Sequence, residues 1–155
     1  MTYIIKKLLP KDIKSEYVRT INSVYVKKFI IFARYGKTEK TKKDLIDYLN
    51  NLPNNEILYG VFNKNIHVAN FKLVLLKRRL YIGFLVLNAF QGKGIFLKVF
   101  PQINNLILKN FQKYKKIYLG VDPKNLRAIS LYFKLGFNYE KKSKIIMSKS
   151  LKLNQ

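Results

Sequence analysis

Apolar positions in the first third of the chain come in short groups. Residues 3–9 read as a strand ended by Pro10, and Asp12 as the cap of a helix running to about Asn22. Residues 23–35 are ambiguous in their pattern. Thr41 followed by Asp44 has the arrangement in which each side chain can bond the other's backbone amide, and Leu45, Ile46, Leu49 and Leu52 then share a helical face before Pro53. Residues 57–63 and 66–76 are rich in strand formers, and Asn63-Lys64-Asn65 between them predicts an antiparallel hairpin. Lys77-Arg78-Arg79 makes a basic turn into residues 80–87, whose nearly unbroken apolar run predicts a strand covered on both faces. From Ile95 the positions Phe96, Val99, Ile103, Ile107 and Phe111 recur at helical spacing, with Pro101 inside as an expected kink. Residues 117–121 read as a buried strand, 125–135 as a helix stopped by Gly136, and 137–151 as one or two closing strands.

That order, β, α, α, β, β, β, α, β, α, β, predicts a mixed α/β (α+β) domain with helices laid against a central sheet. No repeat or linker interrupts it, so residues 1–155 are expected to form one domain. A chain that is 48% hydrophobic and 14% aromatic can bury a core, which excludes a disordered polypeptide. With no Cys and one His, a disulfide framework, a thiolate zinc site, a cysteine nucleophile and a multi-histidine metal site are excluded, and no metal is expected. Residues 1–9 hold only apolar pairs split by Lys6 and Lys7, unlike a secretion signal, and no apolar run approaches the ~18–20 residues that span a bilayer. A soluble, cytoplasmic protein without a membrane span is expected.

Lys and Arg total 31 against 8 Asp and Glu, for a formal charge of +23. Such a field attracts polyanions. Yet 26 of the cations are Lys and only 5 are Arg, whereas phosphate and base recognition favours the guanidinium fork. The lysines read as solvated surface, and nucleic acid is not the favoured partner. The distribution says more than the total. Between Glu56 and Asp122 lie 65 residues without a carboxylate, so this half suits a multiply phosphorylated ligand and offers no carboxylate base of its own.

Two motifs carry candidate chemistry. Gln91-Gly92-Lys93-Gly94-Ile95-Phe96 joins an apolar strand to a helix, a setting in which helix N-terminal amides converge on phosphate and glycines let the backbone come close. The same two glycines also serve a tight turn. Asn125, Ala128 and Tyr132 are spaced at plus three and plus seven, nearly two helical turns, so Asn125 and Tyr132 project along one face about 10 Å apart. Taken alone, Asn125 reads first as a helix cap and Tyr132 as a core aromatic.

Together these residues resemble the signatures of the GNAT superfamily of acetyl-CoA-dependent N-acetyltransferases. Gln91 through Phe96, preceded by Val86, match its phosphate-loop signature, and Asn125, Ala128, Tyr132 and Leu135-Gly136-Phe137 match its second. The resemblance implies a mostly antiparallel sheet splayed between its fourth and fifth strands, with the pantetheine arm of acetyl-CoA inserted between them. Backbone groups of Phe84, Leu85 and Val86 would bond the arm. Gln91, Gly92, Lys93, Gly94, Ile95 and Phe96 would hold the diphosphate, and Asn125 would bond the arm from the other side. Tyr132 would be the general acid that protonates the departing thiolate. The stretch without carboxylates lacks the glutamate base of some relatives, which leaves water or a residue of the N-terminal half, with His67 as the candidate base. Phe96 departs from the pattern, standing where the family keeps Gly or Ala.

A softer resemblance, over residues 17–22, 60–62 and 67–73, is to GNATs that acetylate amino sugars linked to nucleotides. It implies a small-molecule amine acceptor, most simply an amino sugar on a nucleotide. Two alternatives stay open: a macromolecular amine (a protein N-terminus, a ribosomal protein or aminoacyl-tRNA), and a non-catalytic module binding coenzyme A or nucleic acid. The sequence assigns no oligomeric state.

Overall fold

The computed structural model describes residues 2–29 and 38–152. Within them β1 (Ile4–Lys7) leads through a single turn at Pro10–Asp12 to α1 (Ser15–Ile21), α2 (Val24–Phe29) and α3 (Lys42–Asn50). Then come β2 (Glu56–Asn63), β3 (Ile66–Leu75), β4 (Leu80–Val86), α4 (Ile95–Asn110), β5 (Lys116–Gly120), α5 (Leu126–Lys134), β6 (Asn138–Tyr139) and β7 (Ile146–Ser150). The strands form one seven-stranded sheet in the order β1-β2-β3-β4-β5-β7-β6, antiparallel except for the β4–β5 pair.

Local chemistry accounts for the element ends. Thr41 accepts a bond from the Asp44 amide, and Asp44 accepts one from the Thr41 amide at 2.8 Å, the reciprocal cap expected at the start of α3. Lys64 and Asn65 both take positive φ, 48° and 67°, which matches the twist of a two-residue hairpin turn between β2 and β3. The first helix departs from expectation. Asp12 does not cap it; its carboxylate accepts from the Leu9 amide and closes the Pro10 turn, and α1 begins at Ser15. Part of the unassigned segment after Asn22 is α2, and residues 30–35 lie outside the described residues. Pro101 sits inside α4, which runs unbroken from Ile95 to Asn110, and the closing segment holds two strands.

Cross-strand register sorts the sheet into two faces. Tyr59, Val61, Phe71, Leu73 and Ile82 pack with Phe96, Val99, Phe100 and Ile103 of α4. Leu58 and Phe62 pack instead with Tyr17, Ile21, Val26 and Leu45 of the N-terminal helices. Helices therefore cover both faces, each through its own apolar cluster.

The expectation that the run from 80 to 87 is buried on both faces holds at Leu80, Ile82 and Leu87 and fails between Gly83 and Val86. Leu80 and Ile82 are buried, Gly83 is exposed, and Phe84, Leu85 and Val86 are half-buried. The cause lies in the pairing. β3 accompanies β4 out to Val86 opposite Ala69, whereas β5 pairs with it only at Leu80 with Ile117 and Tyr81 with Tyr118. On its other edge β5 stays paired with β7 along its whole length, from Lys116 opposite Ser150 to Gly120 opposite Ile146. Two parallel neighbours part inside a continuous sheet.

Candidate functional site

The parting leaves the β5-facing edge of β4 without a strand from Ile82 onward. Edge amides and carbonyls are obligatory hydrogen-bonding groups, so an apolar strand with an open edge in mid-sheet suits an extended chain laid along it. A cleft of about 360 Å³ opens here. Phe84, Leu85 and Val86 form one side, Ala128, Leu131 and Tyr132 of α5 another, and residues 90–97 its end.

That end is held in place by the N-terminal half. The Thr20 hydroxyl accepts from the Asn88 amide at 2.9 Å, and a Glu16 carboxylate oxygen accepts from the Ala89 amide at 2.8 Å. Glu16 is thereby engaged, and it also pairs with Arg19 at 2.5 Å. Gln91 turns its amide back to donate to Asn88 at 3.2 Å and to the Val86 carbonyl at 3.4 Å. Gly92 and Gly94 both adopt left-handed backbone, φ 77° and 66°, which only glycine takes without strain. Gly94 is the N-cap of α4 and has no side chain to satisfy the helix's first amides, and the first turn holds no acidic residue. The first helical bond near it runs from the Lys98 amide to the Gly94 carbonyl, so the preceding amides point into the loop, as an anion requires.

Charge agrees with that geometry. Lys93, Arg127 and Lys134 line the cleft, and no Asp or Glu is among its described lining residues. The Arg127 guanidinium leans over the loop, 4.0 Å from where a Cβ on Gly92 would sit. Sequence reasoning named Lys93 but missed Arg127, Lys134 and Tyr25, which reach the cleft from α5 and, bonded to Asn125, from α2. Phe96, the departure from the family pattern, is 2% exposed, and its ring meets Phe84 edge-on at 4.5 Å between centroids. The ring fills the core under the loop and leaves the loop's amide face to the cleft.

Tyr132 lies on the wall of the cleft, its ring 6.0 Å from Phe84 and 6.2 Å from Phe137. Burial between these apolar rings, with Tyr25 adding to it, pushes its hydroxyl well above the ordinary 10.0. The group keeps its proton throughout the neutral range. Asn125 is 5% exposed and stands behind the cleft: its Oδ1 accepts from the Ala128 amide at 3.2 Å, capping α5, and its Nδ2 donates to the Tyr25 hydroxyl at 3.0 Å. Tyr25 itself faces the cleft.

His67 is not among the cleft-lining residues. It is 8% exposed on the face of β3 toward α1, between the Tyr17 and Phe62 rings, with Nε2 bonded to Asn70 Oδ1 and Nδ1 buried without a partner. Burial pushes its imidazole below 6.5, outweighing the bond to Asn70 and the nearby Ala69 backbone, which favour the charged form. It is neutral at neutral pH. Among the described residues there is no group of three or more His, Asp or Glu able to hold a metal ion, and no helix long and apolar enough to cross a membrane.

No family model matches the sequence, and no curated protein matches it. Solved structures do match the fold. Spermidine N-acetyltransferase from Vibrio cholerae, in complex with CoA and spermine, superposes with a TM-score of 0.78 at 16% identity, over 96% of this chain and 95% of that one. The chain has the GNAT acetyltransferase fold. An acetyltransferase of the GNAT family from Streptococcus pneumoniae gives 0.68 at 17% identity over 97% and 100% of the two chains. PaiA N-acetyltransferase from Thermoplasma acidophilum, in complex with coenzyme A, gives 0.68 at 18% over 97% and 99%. The mostly antiparallel sheet splayed between β4 and β5, implied by the resemblance, is the GNAT architecture, and the structure adds that the β4–β5 pair is parallel.

Proposed function

We propose that this protein transfers an acetyl group from acetyl-CoA directly to a primary amine. The observation that carries this reading is the open edge of β4 beyond Tyr81, ending on the glycine-shaped, uncapped start of α4. An arm with two amides fits the first, and a diphosphate the second. The loop from Gln91 to Phe96 holds the diphosphate through its amides, with Lys93 and Arg127 adding charge. Backbone groups of Phe84, Leu85 and Val86 bond the arm, and Asn125 serves it from the start of α5. A β4 amide at the open edge stabilises the oxyanion formed when the amine adds to the thioester carbonyl, a contact worth a few kcal/mol in other acyl-transfer sites. As the carbon–sulfur bond breaks, Tyr132 gives its proton to the thiolate. The amine loses its own proton to water; His67, the side chain expected as base, is buried against Asn70 away from the cleft lining and takes no part in this step.

The acceptor we favour is small, an amino sugar carried on a nucleotide, whose phosphates suit a chain of charge +23. The same charge supports a second reading, an amine presented by tRNA or the ribosome. Two neighbours were crystallised as CoA complexes, one of them also holding the polyamine spermine, which fits direct transfer to an amine. The test is free thiol release from acetyl-CoA in the presence of nucleotide amino sugars, peptides, polyamines or charged tRNA. Release with one class identifies the acceptor. No release with any of them, together with no heat on titrating coenzyme A, refutes the enzymatic reading.

A further inference from the structure

The total charge of +23 singles out no partner; its placement does. β3 ends at Leu75 opposite Leu80 of β4, Leu80 sits beside Ile117 of β5, and Lys116 pairs with Ser150 of β7. The turn at 76–79 and the loop at 111–116 therefore share one end of the sheet. Lys77, Arg78, Arg79, Lys113, Lys115 and Lys116 are all exposed there. The glycine loop of the cleft follows the other end of β4, about 20 Å away along that strand.

The two segments are built into one surface. The Tyr114 hydroxyl donates to the Leu76 carbonyl at 2.6 Å, and a hollow of about 480 Å³ beside them is lined by Lys77, Lys113, Asn110 and Gln112. Arg79 is fixed in orientation: its guanidinium carbon lies 4.4 Å over the Tyr118 ring, and Nη1 donates to the Tyr81 hydroxyl at 3.3 Å. Helix-end chemistry explains only part of this. Lys115 reaches the Gln112 carbonyl beyond the C-terminus of α4, where a cation is favoured, but Lys77, Arg78 and Arg79 belong to a strand turn with no helix dipole to answer. No carboxylate lies in residues 57–121. Glu56, at the start of β2, is 8% exposed and paired with Lys72 at 3.9 Å, and Glu140 favours the charge of Arg79 less than the two tyrosines do.

We propose that this end of the sheet binds single-stranded nucleic acid, with phosphates on its lysines and arginines and an unpaired base stacked on the outer face of the Arg79 guanidinium. A guanidinium plane held against an aromatic ring is a platform for a splayed base, and the cations beside it track a backbone. Two of the five arginines of the chain are here, and the guanidinium is the cation suited to phosphate. A lipid surface would call for apolar side chains among the cations, and Leu76 is the exposed large one that this turn and loop supply. The site lies away from the cleft, so it holds a partner without occupying the place of the coenzyme, and it stands whether or not the coenzyme reading does.

The experiment is fluorescence anisotropy of the full chain with labelled RNA and DNA of about 12 nucleotides, single-stranded and paired. Polyglutamate and anionic vesicles serve as competitors without bases. The native chain is expected to prefer both single strands to the duplex and to either competitor. Lys77→Gln with Arg78→Gln should weaken the single strand about tenfold in low salt and lower the salt slope by about 1.4, two contacts at ~0.7 each. Lys141→Gln with Lys144→Gln, an exposed pair in the turn before β7, removes the same charge at the other end of β5 and should weaken it less than about twofold. Arg79→Lys keeps the charge and loses the plane, so single strands should weaken about fivefold or more with the salt slope unchanged. Thermal unfolding checks the fold of each variant, and coenzyme A titration checks the cleft. Equal losses from the two charge pairs overturn the proposal, since the field of the whole chain is then the cause. It is also overturned by a competitor as effective as the single strand, by a duplex bound as tightly, by native affinity in Arg79→Lys, or by no binding in low salt. Oligonucleotide bound by a chain that takes no coenzyme A removes the coenzyme reading and supports this one.

Discussion

Replacing Tyr132 with Phe removes one oxygen from the cleft wall and keeps the ring that sits 6.0 Å from Phe84 and 6.2 Å from Phe137, so the α5 packing should survive. What is lost is the proton for the leaving thiolate. In water a tyrosine near 10 is already a weaker acid than a thiol near 8.5, so a complete transfer is uphill by about 2 kcal/mol. Burial raises Tyr132 further, but the same dry rings penalise the thiolate, since desolvation disfavours both anions. The proton therefore moves as the carbon–sulfur bond breaks and not beforehand, and its removal should cost roughly the 10²- to 10⁴-fold typical of a positioned acid. The assay is thiol release at saturating acetyl-CoA with the best acceptor from the panel, alongside calorimetry for coenzyme A, whose affinity should change by less than about twofold. Because Tyr132 holds its proton beyond 10.0, the native kcat should show no alkaline decline due to this residue up to about pH 9.5. A variant with native turnover, or a native decline near the ordinary tyrosine value that disappears in the variant, would refute the role.

The other expectations follow from the same geometry. Tyr132, raised in the folded state, adds stability that is complete below 10.0 and lost as pH rises above it, so Tyr132→Phe should flatten the alkaline fall in unfolding free energy by about 1.4 kcal/mol per pH unit, measured by urea unfolding from pH 9.5 upward. For His67 the sign is opposite: its lowered value means stability is present above 6.5 and lost as pH falls, a slope that His67→Gln should remove between pH 6.5 and 5. Gly94→Ala places a Cβ that meets nothing within 4 Å, so its cost is backbone strain alone at φ 66°, about 1 kcal/mol and roughly 2–4 °C in Tm; Gly94→Asn should recover part of it, and an Asn variant as damaged as Ala would contradict the conformational account. Arg127→Ala should weaken coenzyme A about fivefold in low salt and less in high salt: a guanidinium ~5 Å from a phosphate would be worth about 3 kcal/mol at an effective dielectric of 20, and exposure of Arg127 reduces this to about 1.

The parts of this fold that were legible in the sequence are those set by local chemistry. Thr41 and Asp44 bond one another as their spacing requires, and the Asn-Lys-Asn turn has the backbone its residues favour. The run from 80 to 87 was legible only in part, because an unbroken apolar stretch reports that charge is excluded without saying what covers it. At Leu80 the cover is β5; at Phe84, Leu85 and Val86 it is the cleft. The glycine loop at the end of the cleft could be read from its two glycines, but Arg127 and Tyr25 could not, since neither belongs to a local motif and each comes to the cleft from a separate helix. Asn125 shows how two readings of one residue coexist: the motif position and the helix cap are the same side chain, whose Oδ1 accepts from the Ala128 amide and whose Nδ2 donates to the Tyr25 hydroxyl.

The excess charge decides between the two acceptor classes more sharply than any single residue. Three cations, Lys93, Arg127 and Lys134, lie on the cleft itself, where the coenzyme's own phosphates would meet them, so most of the +23 is left for other partners or for none. A nucleotide-linked amino sugar brings two phosphates. Neutralising them with single-strand-like release, about 0.7 to 0.9 counterions per phosphate, predicts that raising salt from 50 to 200 mM lifts the acceptor KM by about tenfold at most. An amine on tRNA or ribosomal RNA engages six to ten phosphates, and the same change should cost about 10³ to 10⁵. Measuring acceptor KM across that range at saturating acetyl-CoA, with the coenzyme's own salt dependence measured separately, therefore separates a small anionic acceptor from a nucleic acid. A steep slope would overturn the amino-sugar reading even if that compound were acetylated slowly. A flat one, with no loss at all, would make the lysines solvated surface and move the acceptor toward an uncharged or cationic amine.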